Sequence, residues 1–213
     1  MSPHITQEQL DELWDFDDAV KSEAQLRAAL ARASDPVAAE ELTTQVARSL
    51  GLQDRFDEAE KLLDSITAPT GVVAVRVLLE RGRLRTSSDH LAEAIPLFEA
   101  ALLAAAAEDL DFLEIDSAHM LVIAEPARAE HWTARGLETV DETTDRRTKR
   151  WTFTLHNNLG WHFFDDGEPA RALVEFELAA DAASEFGTPQ QQEHAQQAID
   201  QARAELESEL GDQ

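Results

Sequence analysis

Histidines, clustered carboxylates and a short run of basic residues are the groups in this chain that could do chemistry. His156 and His162 stand six residues apart and so lie on different faces of a helix, whereas His-based zinc motifs use spacings of about three or four. No His-Glu-x-x-His occurs. Asp15, Asp17, Asp18 and the pair Asp165-Asp166 lack the glycine and closing glutamate that a calcium loop needs in register. The sequence holds no GxSxG, no GxxxxGK[ST] and no GxGxxG. With no cysteine and no tyrosine, the set of nucleophiles and acids is thin, and 43 acidic residues make paired carboxylates too common to single out any one pair. We therefore expect no catalysis, no metal and no cofactor. The cluster Arg146, Arg147, Lys149 and Arg150 could dock an acidic partner or a phosphate. It is interleaved with Asp141, Glu142 and Asp145, and the simpler reading is a solvated helix start.

The charge balance narrows the partners. Net charge is −25, from 43 acids against 18 bases, and a surface this acidic repels phosphate backbones, so neither nucleic acid nor an anionic membrane is expected. Only three of the bases are lysine, which with abundant alanine fits a high-GC bacterial composition. The absence of cysteine excludes disulfides. The N-terminus lacks a basic and an apolar signal region, and no apolar run approaches the roughly 20 residues of a membrane span. A cytoplasmic protein is the expectation.

The elements that would position any site are clearest over residues 153–186. Two helices are expected there, separated by the turn Asp165-Asp166-Gly167-Glu168-Pro169. Gly167 supplies backbone freedom, and Pro169 suits the first turn of the second helix, where its missing N–H has no partner to lose. Gly160 and Ala172 are small where the helices must cross, and Leu159, Phe163 and Phe176 fill the space beside them. The arrangement resembles a tetratricopeptide repeat, W-x2-L-G-x2-Y then A-x3-F then P over 34 residues. Leu159, Gly160, Ala172 and Phe176 match directly and Phe163 takes the tyrosine slot, while His156 and Ser184 depart from the tryptophan and proline slots.

Recurrence tests the resemblance, because one such hairpin cannot bury its apolar face alone. The slot of Ala172 recurs at Ala24, Ala59, Ala94 and Ala129, with spacings of 35, 35, 35 and then 43. Its companion four residues on is Ala28, Leu63, Phe98, Thr133 and Phe176 in turn. The expected fold is all-α, an α-α superhelix or solenoid of about five hairpins in one unit over residues 1–213. The repeats run over about 5–35 (degenerate), 36–69, 71–107, 109–140 and 144–186, with a cap helix over 189–211. Thr6 caps a first helix carrying Leu10, Leu13 and Trp14, and the acids Asp15 to Asp18 break it. Asp35-Pro36 opens the next pair. In the fourth copy the turn at Glu125-Pro126 is one residue shorter if Ala118 is the crossing residue. Residues 141–150 form either a loop or a backward extension of the next helix.

The resemblance also implies where a ligand sits. In tetratricopeptide proteins the first helices line a concave groove that takes extended or helical peptides. Carried over by slot, the groove-facing residues are Thr44, Arg48, Arg76, Leu79, Arg83, Asn157 and Trp161, with His119 beside them. Three arginines inside an acidic shell can bind a carboxylate, Asn157 a peptide backbone and Trp161 an apolar side chain. Alternatively the arginines pair with neighbouring glutamates such as Glu41 and Glu80 and bind nothing. Gln45 and Glu80 stand where the family's two-carboxylate clamp has asparagine or arginine, which puts recognition of a chaperone tail in doubt. The expected function is a non-catalytic scaffold or adaptor for an unidentified protein or peptide. A sensor for a small peptide or metabolite, or a homo-oligomer formed through Trp132, Trp151 or the terminal helix, are the alternatives.

Overall fold

The computed structural model describes residues 5–211 apart from Phe16. The chain is all-helical, and among the described residues there are eleven α-helices, two 3-10 turns and no strand. The chain divides into two compact units, Met1–Leu113 and Glu114–Gln213.

Unit 1 is built from α1 (Gln7–Asp11), α2 (Ala19–Leu30), α3 (Pro36–Gly51), α4 (Phe56–Asp64), α5 (Gly71–Ser87) and α6 (Leu91–Ala107). The starts follow from local chemistry. Thr6 and Gln9 form a reciprocal capping box on α1, Asp18 accepts from the Lys21 N–H at 2.8 Å, and Asp35 accepts from the Ala38 N–H at 3.0 Å ahead of Pro36. α1 is shorter than its sequence suggests. After Asp11 the chain tightens into three-residue bonds, Leu13 N–H to Leu10 O and Trp14 N–H to Asp11 O, so Leu13 and Trp14 lie beyond the helix. They still pack on the core of the unit, whose centre is Leu10, Leu26, Leu42, Val46, Leu50, Leu63 and Val73. Ala24 and Ala28 of the first copy are exposed, and Ser22 and Leu26 are the residues that α2 buries.

Unit 2 contains most of α7 (Asp111–Ala124), then α8 (Ala129–Glu142), α9 (Trp151–Asp165), α10 (Pro169–Phe186) and α11 (Pro189–Gly211). Residues Pro126–Arg128 form a 3-10 turn ahead of α8, and a second one, Thr148–Arg150, leads into α9. The stretch 143–147 between them is loop. α11 starts at a second capping box between Thr188 and Gln191 and buries the stripe Ala195, Ala198, Ile199 and Ala202, with a polar outer face.

Three hairpins, α3/α4, α5/α6 and α9/α10, close in the same way. Asp54, Asp89 and Gly167 take left-handed φ values of 58°, 62° and 75°. The next residue then donates back to the carbonyl five positions earlier, as Arg55 N–H to Leu50 O, His90 N–H to Arg85 O and Glu168 N–H to Phe163 O. This is the Schellman bond that satisfies the last carbonyls of a helix. The crossings recur too. A Cβ on Gly82 would stand 2.3 Å from the Phe98 ring, and one on Gly160 would stand 2.5 Å from the Phe176 ring, so only glycine admits either phenylalanine. Ala59, Ala94, Ala129 and Ala172 are all buried. The α7/α8 connection lacks the left-handed residue and turns through the 3-10 segment instead, which accounts for its altered length. Ser117 and Ala118 are both fully buried there, and Ala118 faces Gly136 of α8.

Candidate functional site

In unit 1 the candidate residues lie on one stripe of α3 and one of α5. Glu41, Thr44, Gln45 and Arg48 recur at helical spacing on α3, as Arg76, Glu80 and Arg83 do on α5. Arg76 is 7% exposed; its Nε donates to Glu41 Oε2 at 3.1 Å and its Nη2 to Gln7 Oε1 at 2.9 Å. Arg83 Nη1 donates to Glu80 Oε1 at 2.6 Å. Thr44 is fully buried, and its hydroxyl donates to the Glu41 carbonyl at 2.7 Å. Arg48 lies 5.3 Å from the Trp14 ring centroid, and Trp14 Nε1 donates to Gln45 Oε1 at 3.1 Å. Leu79 is buried.

Arg76 and Arg83 are thus held by the two glutamates named as alternatives. An anion arriving there must displace a carboxylate that is almost wholly buried, and removing one partner of such a pair is costly. Gln7, Trp14 and Gln45 complete this network. Gln45 has a sequence signal, one repeat before Glu80, whereas Gln7 and Trp14 have none, because they come from the irregular first copy.

In unit 2, Asn157 and Trp161 sit one turn apart on α9, both half-buried. Trp161 is wedged edge-on against Phe164 and Phe176, with centroids 5.5 and 5.0 Å away. Among the described residues neither the Asn157 amide nor the Trp161 indole N–H has a hydrogen-bond partner. His119 on α7 lies 5.2 Å from the Trp151 ring, with Asn158 Nδ2 3.0 Å from its Nδ1. His156 pairs with Glu175 across α9 and α10 at 2.7 Å, and His162 lies 3.6 Å from Asp166. Of the tryptophans considered for self-association, Trp132 is 7% exposed and donates to Glu125 Oε2 at 2.8 Å, and Trp151 is half-buried beside His119.

The basic cluster has a role within unit 2. Arg146 Nη2 donates to the Glu185 carbonyl at 2.6 Å and Arg150 Nε to the Phe186 carbonyl at 3.1 Å, while Arg146 also covers the Phe186 ring. Cations thereby sit on the orphan carbonyls of α10, where the helix dipole favours them. Asp145 accepts from both the Thr148 N–H and the Thr148 hydroxyl, and these bonds hold its carboxyl below the usual aspartate range. No group of three or more metal-ligating side chains occurs among the described residues. No helix of the described residues is long and apolar enough to cross a membrane.

No protein-family model matches the chain, and no curated protein matches it. A solved structure does: the crystal structure of BtubC (BKLC) from P. vanneervenii aligns over 97% of this chain and 93% of its own, with a TM-score of 0.58 and 16% sequence identity. At that identity the likeness is one of fold.

Proposed function

We propose that this chain is a tetratricopeptide-type helical repeat protein that binds a peptide or protein partner as a non-catalytic scaffold or adaptor, and that it does so through the half-buried face of α9 that carries Asn157 and Trp161. The observation that carries the reading is the pair Asn157 and Trp161. The two residues lie one turn apart on a first helix of a hairpin, with an amide and an indole N–H that have no protein partner among the described residues. An amide of this kind bonds a peptide backbone, and an indole covers an apolar side chain while keeping a donor for a carbonyl. The shared turns and glycine crossings of α3/α4, α5/α6 and α9/α10 support the repeat assignment. The candidates on α3 and α5 are occupied by internal bonds and contribute to the scaffold. In this reading the protein works in a bacterial cytoplasm and contacts neither nucleic acid nor membrane.

The test is affinity capture from source-cell lysate with three baits: the intact chain, Asn157→Ala/Trp161→Ala, and Arg48→Ala/Arg83→Ala. A protein retained by the first and third and lost by the second is the expected result. Retention by all three places the contact elsewhere, and loss with the arginine variant alone returns the site to α3 and α5.

A further inference from the structure

A second site, separate from the α9 face, lies in unit 1. Ile5, Thr6 and Gln9 at the start of α1, the C-terminal end of α2 and the first turns of α3 stand around an open space. The result is an open cavity of about 590 Å³. Its floor is apolar, formed by Leu13, Ala29, Ala33 and Leu42. Its rim carries Arg32 at the end of α2, Glu12 after α1, and Ser34 and Asp35 in the turn into α3. A volume of this size suits a small organic molecule, since such sites span roughly 300 to 1,000 Å³.

Arg32 sets the chemistry. In a chain with 43 acids and 18 bases, every other arginine is engaged by a carboxylate, a carbonyl or an aromatic ring, or is otherwise in contact. Arg32 alone has no hydrogen bond or ion pair among the described residues. Its guanidinium fork matches a carboxylate, and the floor below it matches an aliphatic body. Asp35 is already committed to the Ala38 N–H, so its charge stays on the rim, and Glu12 adds a second carboxylate. Glu12 and Asp35 leave the rim at a net charge of −1 beside Arg32, so a first carboxylate depends on the direct guanidinium contact and a second finds only repulsion. We infer that this cavity binds a small aliphatic monocarboxylate, with its carboxylate on Arg32 and its tail over Leu13, Ala29, Ala33 and Leu42.

The inference does not depend on the α9 reading and is tested on the full chain with octanoate, octanamide and suberate by titration calorimetry and by saturation-transfer NMR. Octanoate should bind with a Kd near the millimolar range or below, and the neutral amide and the dicarboxylate should each bind about tenfold more weakly. Arg32→Gln lies on an exposed position and should weaken octanoate about tenfold while leaving the helical circular dichroism and the Tm in place. Ala38→Phe fills the cavity from α3 and should abolish binding; its fold is checked by the same two signals, and Ala33→Leu serves if Ala38→Phe is unstable. No octanoate binding to the parent chain, equal affinity for octanoate and its amide, or binding that survives both Arg32→Gln and a cavity-filling variant would each overturn the inference.

Discussion

Arg76 shows what a single buried cation costs and gives. Its guanidinium bridges Glu41 of α3 and Gln7 of α1, and both members of the Arg76–Glu41 pair are nearly inaccessible. Attraction in such a place largely offsets the loss of hydration, so the pair adds little net stability, but breaking it strands a charge. Arg76→Met should therefore destabilise by about 3 kcal/mol, whereas Arg76→Met/Glu41→Leu should return to within about 1 kcal/mol of the parent. Urea unfolding of the parent, both single variants and the double variant measures this. If the double variant is as unstable as the single, the pair is a net contributor and the account of its role is wrong. The α9 pair is different in kind: among the described residues the Asn157 amide and the Trp161 indole N–H have no hydrogen-bond partner, so Asn157→Ala should cost binding rather than stability, while Trp161→Ala also removes the packing on Phe164 and Phe176.

Hairpin closure and helix starts belong to the scale of the element. Gly167 stands at φ 75° with open space where a Cβ would be, so a substitution there meets strain from the backbone alone. Gly167→Ala should cost about 1 kcal/mol, the penalty of an L-residue in the left-handed region. Gly167→Asp should cost less, because the equivalent turns already hold Asp54 and Asp89 in that conformation. Comparing the two variants in thermal melts separates strain from packing. At the start of α9, Asp145 bonds Thr148 and titrates below the ordinary carboxylate value. A depressed folded pKa means that its contribution is present above the unfolded pKa of about 3.9 and is lost as pH falls through the folded value. Hydrogen-exchange protection of the Thr148 amide should hold at neutral pH and fall away below about pH 4. Asp145→Ala should lower that protection throughout. Unchanged protection in Asp145→Ala would show that the turn is held by Arg146 and Arg150 instead.

For the whole molecule the dominant quantity is the charge of −25. Eighteen cations cannot pair 43 acids, so the excess carboxylates repel one another across the surface, and added salt screens that repulsion. Raising sodium chloride from about 20 mM to about 0.5 M should raise the Tm by several degrees, since the screening length shrinks from tens of ångströms to a few. A fall in Tm would mean that the surface ion pairs outweigh the repulsion. Much of this molecule was written in short stretches of sequence. Helix starts at Thr6, Asp35 and Pro189, the turn at Gly167 and the small residues Gly160, Ala94 and Ala172 all depend on groups a few positions apart, and periodic hydrophobicity selects helix over strand without further help. The small residue that recurs in the sequence is buried at Ala59, Ala94, Ala129 and Ala172. Where the local signals are ambiguous the structure departs from them: α1 ends at Asp11 because the bonding tightens after it, and the exposed Ala24 carries the repeat spacing without the repeat packing. Side-chain partners were a different matter. With so many acids within reach of each arginine, the choice of Glu41 for Arg76 and of the α10 carbonyls for Arg146 and Arg150 depends on the spacing between packed helices, which only the tertiary structure decides.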